Sequence, residues 1–389
     1  MSLPNHFPQD RQPKDVNSPR LLGPLSAGRT GLGRGPVSRR SVLLFGAGLG
    51  LAGVIAACGT TPPSSDSGAE TAAATAAAGE QVELTLVSYA VTQAAYEQII
   101  PEFTKQWQEK TGQTVVFNQS YGGSGSQTRA VLDGLEADVV ALALALDTKK
   151  IEDGGLIEPG WEQEAPNGSI VHKSVAALVM RDGNPKNIQG WDDLARDDVQ
   201  VITANPKTSG GARWNFLALW GSQAQAGGDE AAALDFTTKV FQNVPVLPKD
   251  AREATDVFYQ RGQGDVLINY ENEVQLAAQK GEVQPFIIPD VNISIDNPVA
   301  VVDANVDKHG TREVAEAFVE FLFTPAAQQE FAKVGFRPVD PGVAEEFADQ
   351  YPKVKTLFTV SDLGGWGAVQ DKFFADGTIF DQIQAKVGK

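Results

Sequence analysis

Thr208, Ser209, Gly210 and Gly211 stand between a strand-like run (Val199 to Thr203) and an apolar run that reads as a helix (Trp214, Leu217, Ala218, Leu219). A Ser-Gly-Gly turn that opens a helix presents backbone N–H groups with no carbonyl partner, at the positive end of the helix dipole. Two adjacent glycines let a ligand close on that backbone. The chemistry this suits is the capture of a small anion by neutral donors. Gly122-Gly123-Ser124-Gly125 offers a second start of the same kind. Lys249-Asp250-Ala251-Arg252 offers a third, with Asp250 able to cap a helix beginning near Ala251. One glycine-rich turn is a weak signal. Three in one chain, with no catalytic machinery beside them, point to an anion receptor.

The residues that would argue for an enzyme do not assemble. Of the three histidines, His6 lies in the leader, His172 begins a strand and His309 sits in a Lys-His-Gly turn. There is no metal-ligand spacing, no G-x-S-x-G elbow and no Walker loop, since GGSGS lacks the following lysine. No catalytic residue, metal site or cofactor is therefore expected. Glu271 and Glu273, on either side of Asn272, read as a capping and hinge network rather than an acid–base pair. The run Asp192 to Asp198 reads as a solvated acidic surface. Trp107, Trp214 and Trp220 fall at helical apolar positions and read as core, not as a sugar platform. Arg213 and Arg252 lie in the first turns of two candidate site helices. They read either as orienting ion-pair partners near the site or as solvated or structural salt bridges.

The elements that must carry these turns alternate short β-rich runs with amphipathic helices, the pattern of parallel α/β lobes. Val82 to Ser88 is a first strand. A helix follows with Tyr96, Ile99, Ile100, Phe103 and Trp107 on one face, in which Pro101 marks a kink or the true start. Thr114 to Asn118 and Asp138 to Ala143 are further strands, separated by a helix from about Ser126 to Leu135. Val171 to Arg181 and Asn292 to Asp303 read as strands that cross to a second lobe and back. Between them the spacing predicts strands at Val199 to Thr203 and Asp265 to Asn269, and helices after Gly211, at Leu234 to Gln242 and at Ala251 to Gln260. The expected fold is α/β, with two lobes hinged at two crossover strands and a ligand cleft between them.

The 389 residues carry a formal charge of −17, of which the first 58 contribute +5, leaving −22 on the remainder. Such a surface repels nucleic acid. Ser38 to Gly59 combines Arg39-Arg40, a short apolar stretch and small residues before Cys58, the one cysteine of the chain. The run is short for a bilayer span and reads as an export signal of twin-arginine type. Ile55-Ala56-Ala57-Cys58 resembles a bacterial lipobox, with Cys58 as the lipidated first residue. The organisation expected is a leader (1–58), a flexible Ala/Thr/Ser/Pro/Gly tether (59–80), a first lobe from 81–172 and 300–389, and a second lobe from 173–299.

NPKTSGGARWNFLALWG, from Asn205, resembles the signature of bacterial sulfate-binding proteins, the solute receptors of sulfate/thiosulfate ABC importers. The likeness continues in order through VSYAVTQAAYEQ, NQSYGGSGSQ, GLEADVVALALALD, FQNVPVL, GDVLINYENE, TREVAEAFVEFL and FADGTIFDQ. It covers nearly all of the chain from Val82 onward. The resemblance implies a periplasmic binding protein of type II that is not an enzyme, lipid-anchored here, with a membrane permease as partner; a monomer is expected. It implies that a sulfate dianion is held by the N–H and hydroxyl of Ser124, the hydroxyl of Ser209, and the N–H groups of Gly210, Gly211 and Ala251. The family also uses a tryptophan indole N–H where this chain has Tyr270, whose hydroxyl reaches further and can accept as well as donate. The family often has aspartate after the Ser-Tyr of the first strand, where this chain has Ala90. A site built only of donors suits sulfate or thiosulfate and leaves the O–H of hydrogen phosphate unpaired, at a cost of about 1–3 kcal/mol. A receptor for phosphate or molybdate, an enzyme, and a structural lipoprotein are the competing readings.

Overall fold

The computed structural model describes residues 81–388. The leader, the tether with Cys58, and Lys389 lie outside them. Strand β1 (Gln81–Tyr89) leads through a single 3-10 turn into helix α1 (Gln93–Thr111), which buries Tyr96, Ile99, Ile100, Phe103 and Trp107 and ends at Gly112 in the left-handed region. Pro101 neither starts nor stops this helix. It is exposed, so the one carbonyl deprived of a helical donor faces water. Then follow β2 (Thr114–Gly122), α2 (Ser124–Leu132), β3 (Val139–Ala141), α3 (Ala145–Asp153), the short turn α4 (Pro166–Ser169) and β4 (Ile170–Ser174).

After Val175 the chain enters a second sheet. This part comprises β5 (Ala176–Met180), β6 (Val201–Ile202), α5 (Gly210–Gln225), α6 (Glu230–Gln242), α7 (Ala251–Tyr259), β7 (Val266–Tyr270), α8 (Glu271–Gln279) and β8 (Phe286–Ile287). Strands β9 (Val291–Ile293) and β10 (Ile295–Val301) bring it back. Helices α9 (Asp303–His309), α10 (Arg312–Leu322) and α11 (Pro325–Lys333) follow, then β11 (Arg337–Pro338), α12 (Pro341–Glu346), β12 (Thr356–Phe358), α13 (Gly365–Val369) and α14 (Ile379–Val387).

The first sheet has the order β11-β4-β10-β3-β1-β2 and the second β6-β7-β5-β8. Both are mixed rather than purely parallel. Strand β1 runs parallel to β2 and β3, and β6 to β7, but β10 is antiparallel to β3 and β4, and β5 to β7 and β8. A crossing strand passes straight from one lobe to the other. It has no crossover helix to restore its direction, which a parallel neighbour requires. The two crossings lie side by side, and the Asn292 amide brackets Ala176, accepting from its N–H at 3.0 Å and donating to its carbonyl at 2.8 Å.

One assignment changes. The sequence puts the whole of 300–389 with the first lobe, but the segment from β12 onward returns to the second. Strand β12 pairs with β9, and Phe373, Phe374 and Phe380 close on Phe216 of α5, with Phe380 also on Phe241 of α6. These aromatic faces are buried only by that return. Trp107, Trp214 and Trp220 are core side chains.

Candidate functional site

Helix α2 begins after Gly123, whose backbone is extended (φ −63°, ψ 131°), so the N–H groups of Ser124 and Gly125 have no carbonyl four residues back within the helix. Ser124 is buried, and its hydroxyl donates to Asp147 Oδ2 at 2.7 Å while accepting from the Ala143 N–H at 3.0 Å. The hydroxyl is therefore spent inside the protein, and only the Ser124 N–H faces outward as a donor. This differs from the reading of Ser124 as a double donor. Asp147 is fully buried in the first turn of α3, and a buried carboxylate gathers every donor in reach: Ser124, Arg213 Nη1 at 3.2 Å and Lys150 at 3.5 Å.

Helix α5 begins at Gly210. Its N-cap, Ser209, accepts from the Ala212 N–H at 3.2 Å, which leaves the Ser209 hydroxyl hydrogen able to donate elsewhere. Gly210 and Gly211 are required by close approach. A Cβ on Gly210 would lie 2.6 Å from Ala143 Cβ, and one on Gly211 would lie 2.7 Å from Tyr270 Cε2. Helix α7 begins at Ala251, capped by Asp250, whose carboxylate accepts from the Glu253 N–H at 2.8 Å.

These three starts converge with the carboxyl end of β1 on one small, closed cavity of about 10 Å³. Its wall contains Ser124, Ser209, Gly210, Gly211 and Ala251, together with Tyr89 and Ala90. Tyr270 ends β7 directly behind Gly211; its side chain is fully buried and its hydroxyl has no partner in the protein. Tyr89 and the backbone of Ala90 were missed in the sequence. The available signal was their position just past the carboxyl end of a strand, but Ala90 was weighed only for the carboxylate it lacks.

The two lobes meet at the mouth of this cavity. A Cβ on Gly123 would sit 2.5 Å from the Thr208 carbonyl oxygen and 3.1 Å from that of Lys249. The structure is thus the closed form, and its closing edge is backbone against backbone.

Formal charge surrounds the cavity but is neutralised in pairs. Arg213, 6% exposed, pairs with Asp147 across the lobes and also donates to the Pro206 carbonyl at 2.9 Å. Arg252 grips Glu273 through Nε and Nη2, at 3.0 and 2.8 Å, within the second lobe, and Thr255 donates to the same carboxylate at 2.7 Å. Burial works against the Arg252 charge, yet Glu273 more than offsets this and holds its pKa above the usual value. Glu271 is bound by Arg337 at 2.7 and 3.0 Å; burial nevertheless raises its pKa. Both glutamates are thus structural anchors at the head of α8. Burial pushes His172 down to about 3, leaving it a neutral ring packed 4.0 Å from Phe336 and 4.6 Å from Phe331. Among the described residues no cluster of His, Asp and Glu is arranged to hold a metal ion.

The cavity is walled by neutral donors at three helix N-termini, with Asp147 and Glu273 ion-paired beside it and Asp250 accepting as the α7 cap. Two α/β lobes, joined by crossing strands and closed over such a cavity, define a type II solute-binding protein. The chain belongs to the bacterial extracellular solute-binding proteins, whose family model matches residues 84–337. It is 63% identical over 334 residues to the sulfate-binding protein of Synechococcus elongatus, covering 86% of this chain and 93% of that one. It is 40% identical over 300 residues to the thiosulfate-binding protein of Pseudomonas aeruginosa, covering 76% and 90%. The solved structure of the sulfate-binding protein SubI from Mycobacterium tuberculosis superposes with a TM-score of 0.70 at 40% identity, covering 76% of this chain and all of that one.

Proposed function

We propose that this protein is an exported, non-enzymatic receptor that binds sulfate, with thiosulfate as a second ligand, and delivers it to the membrane permease of an ABC importer. The observation that carries this reading is the convergence of Ser124, Ser209, Gly210, Gly211 and Ala251 on a small cavity beside which Asp147, Glu271 and Glu273 are each held by an arginine, with Asp250 accepting as the cap of α7. A desolvated dianion is stabilised there by oriented N–H groups, which need no reorganisation and add no counter-charge. Tyr270 Oη supplies a further donor beside Gly211. Arg213 and Arg252 act indirectly, by neutralising Asp147 and Glu273 so that neither repels the anion. The names borne by relatives at 63% and 40% identity support the same ligands.

Ligand exchange requires the Gly123 edge to part from Thr208, with bending at Val175 and Ser294 in the two crossings. The closed form is the one a permease would read. The protein acts as a monomer held at the membrane by lipid on Cys58, with residues 59–80 as its tether.

The test is calorimetric titration of the exported chain with sulfate, thiosulfate and hydrogen phosphate at one pH. Tight binding of sulfate or thiosulfate with hydrogen phosphate silent is expected. Preference for hydrogen phosphate would overturn the donor-only site, because an acceptor would then have to face the cavity.

A further inference from the structure

The cavity wall holds a polar group that this set of donors does not use. Tyr89 closes β1 and lines the cavity beside Ala90, with only 3% of its surface exposed. Its ring lies 6.1 Å from that of Tyr270, tilted by 51°, and 6.4 Å from that of His172. It thus stands where the end of the first sheet meets the end of β7 in the second. The hydroxyls of Tyr89 and Tyr270 are both buried, and neither has a hydrogen-bond partner in the protein.

A buried hydroxyl without a partner is costly, and native proteins avoid it unless something else satisfies it. Two such groups as neighbours, one in the cavity wall and the other behind Gly211, are not an accident of a single rotamer. The carboxylates that act on these phenols do not take their hydrogens. Glu273 already accepts from Arg252 and Thr255, and Asp147 from Ser124 and Arg213. His172 does not take either hydrogen: its Nδ1 is hydrogen-bonded to neither phenol, and the ring is held between Phe331 and Phe336. Burial also raises the pKa of both phenols well above the usual value, so both keep their hydrogens throughout the working pH range.

We propose that Tyr89 is a further specificity-determining residue of this site: its hydroxyl and that of Tyr270 form a phenol pair that hydrogen-bonds the bound tetrahedral oxyanion where β1 and β7 end, beside the start of α5. This rests on the anion reading of the cavity. The pair differs from the helix starts in kind. A backbone N–H only donates, whereas a phenol can donate to one oxygen and accept from a neighbour. Tyr89 can therefore either reach the anion itself or donate to Tyr270 Oη and strengthen its bond to the anion. In the first arrangement the Tyr89 hydroxyl is satisfied only in the liganded protein. The pair also lets the site accept a hydrogen bond from a ligand O–H, so it helps set how strictly singly protonated oxyanions are refused.

The experiment compares the full exported chain with its Tyr89→Phe, Tyr270→Phe and doubly substituted forms. Each is titrated with sulfate and with hydrogen phosphate, and melted with and without sulfate. Tyr89→Phe is expected to lower sulfate affinity about tenfold, the size of one hydrogen bond to a charged partner. It is expected to leave the melting temperature of the ligand-free chain unchanged or higher, since an unsatisfied hydroxyl has been removed, and to shrink the rise that sulfate produces. Any residual binding of hydrogen phosphate should fall further than that of sulfate. An unchanged sulfate affinity in Tyr89→Phe, while the unmodified chain binds sulfate, overturns this inference and leaves the receptor reading standing. A lower ligand-free melting temperature with unchanged affinity marks the hydroxyl as purely structural and overturns it equally. Failure of the unmodified chain to bind sulfate, thiosulfate or hydrogen phosphate overturns the anion reading and this inference together.

Discussion

Strand β1 runs between two clusters of opposite character. At its carboxyl end, Tyr89 and Ala90 meet the starts of α2, α5 and α7, and every residue lining the cavity except Asp250, the α7 cap, is neutral. Near its amino end, the Thr85 N–H donates to Asp138 at 2.7 Å, and the same buried carboxylate accepts from the Thr311 hydroxyl at 2.7 Å. His309 joins them, with Nδ1 at 2.8 Å from Asp138 and Nε2 at 2.9 Å from Glu136, which also pairs with Lys308. By composition the charged cluster is the more conspicuous of the two, with a histidine, two carboxylates and a lysine. Yet its groups are consumed by one another, and together they tie the corner between α9 and α10 to the edge of the first sheet. The neutral end keeps donors in hand. Unmet hydrogen-bonding capacity, rather than formal charge, distinguishes the end that can bind from the end that only holds.

Substitutions that fill the neutral end should break this contrast most strongly. Gly211→Asp puts a Cβ within 2.7 Å of the Tyr270 ring and a carboxylate among the donors. Sulfate affinity is expected to fall at least about a hundredfold, since one unpaired charge facing the dianion outweighs the loss of any single bond. Affinity retained in that variant, read by calorimetry, would refute the site.

Gly123→Ala sharpens the comparison by leaving every donor in place. Its Cβ would meet the Thr208 carbonyl oxygen at 2.5 Å, so it obstructs closure rather than binding groups. A loss of about tenfold is expected, with the melting temperature of the ligand-free chain unchanged, because the clash exists only when the lobes meet. An equal drop in ligand-free stability would mean that the contact persists in the open form.

The smallest effect belongs to the charged end. Hydrogen bonds first to Glu136 and then to Asp138 hold the His309 pKa above its ordinary value. The folded state therefore binds the proton more tightly than the unfolded one. The stability this contributes is complete below the unfolded value of about 6.5 and is lost as pH rises through the raised value. His309→Gln should lack that pH-dependent component in urea midpoints measured across the range, while its sulfate affinity matches the unmodified chain. A change in affinity would dissolve the division between the two ends.

The helix starts were legible because capping is local. Ser209 bonds Ala212 and Asp250 bonds Glu253, each three residues on, so the pattern that makes the cap lies within one turn of sequence. The strand that crosses at Val171 to Arg181 was legible as an apolar run, but its break at Val175 was not, since nothing in the run distinguishes the residue that leaves one sheet for the other. The return of β12 to α14 onto the second lobe was hidden for the same reason. Amphipathic patterns name a face to be buried without naming what buries it.

The sequence by itself determined where neutral donors would be presented, that no thiol, histidine cluster or nucleotide loop would compete with them, and that two α/β units would carry them. Only the tertiary structure decided which of those donors remain free. The Ser124 hydroxyl was claimed by Asp147, 23 residues away, and Arg213 by the same carboxylate from a distance of 66 residues. Tyr89 and Tyr270 were brought together from the ends of strands in different sheets. Hydrogen bonding is settled by which groups share a space, and buried carboxylates outbid solvent for whatever donors lie within reach. Spacing along the chain cannot state that competition; the packing of one lobe on the other does.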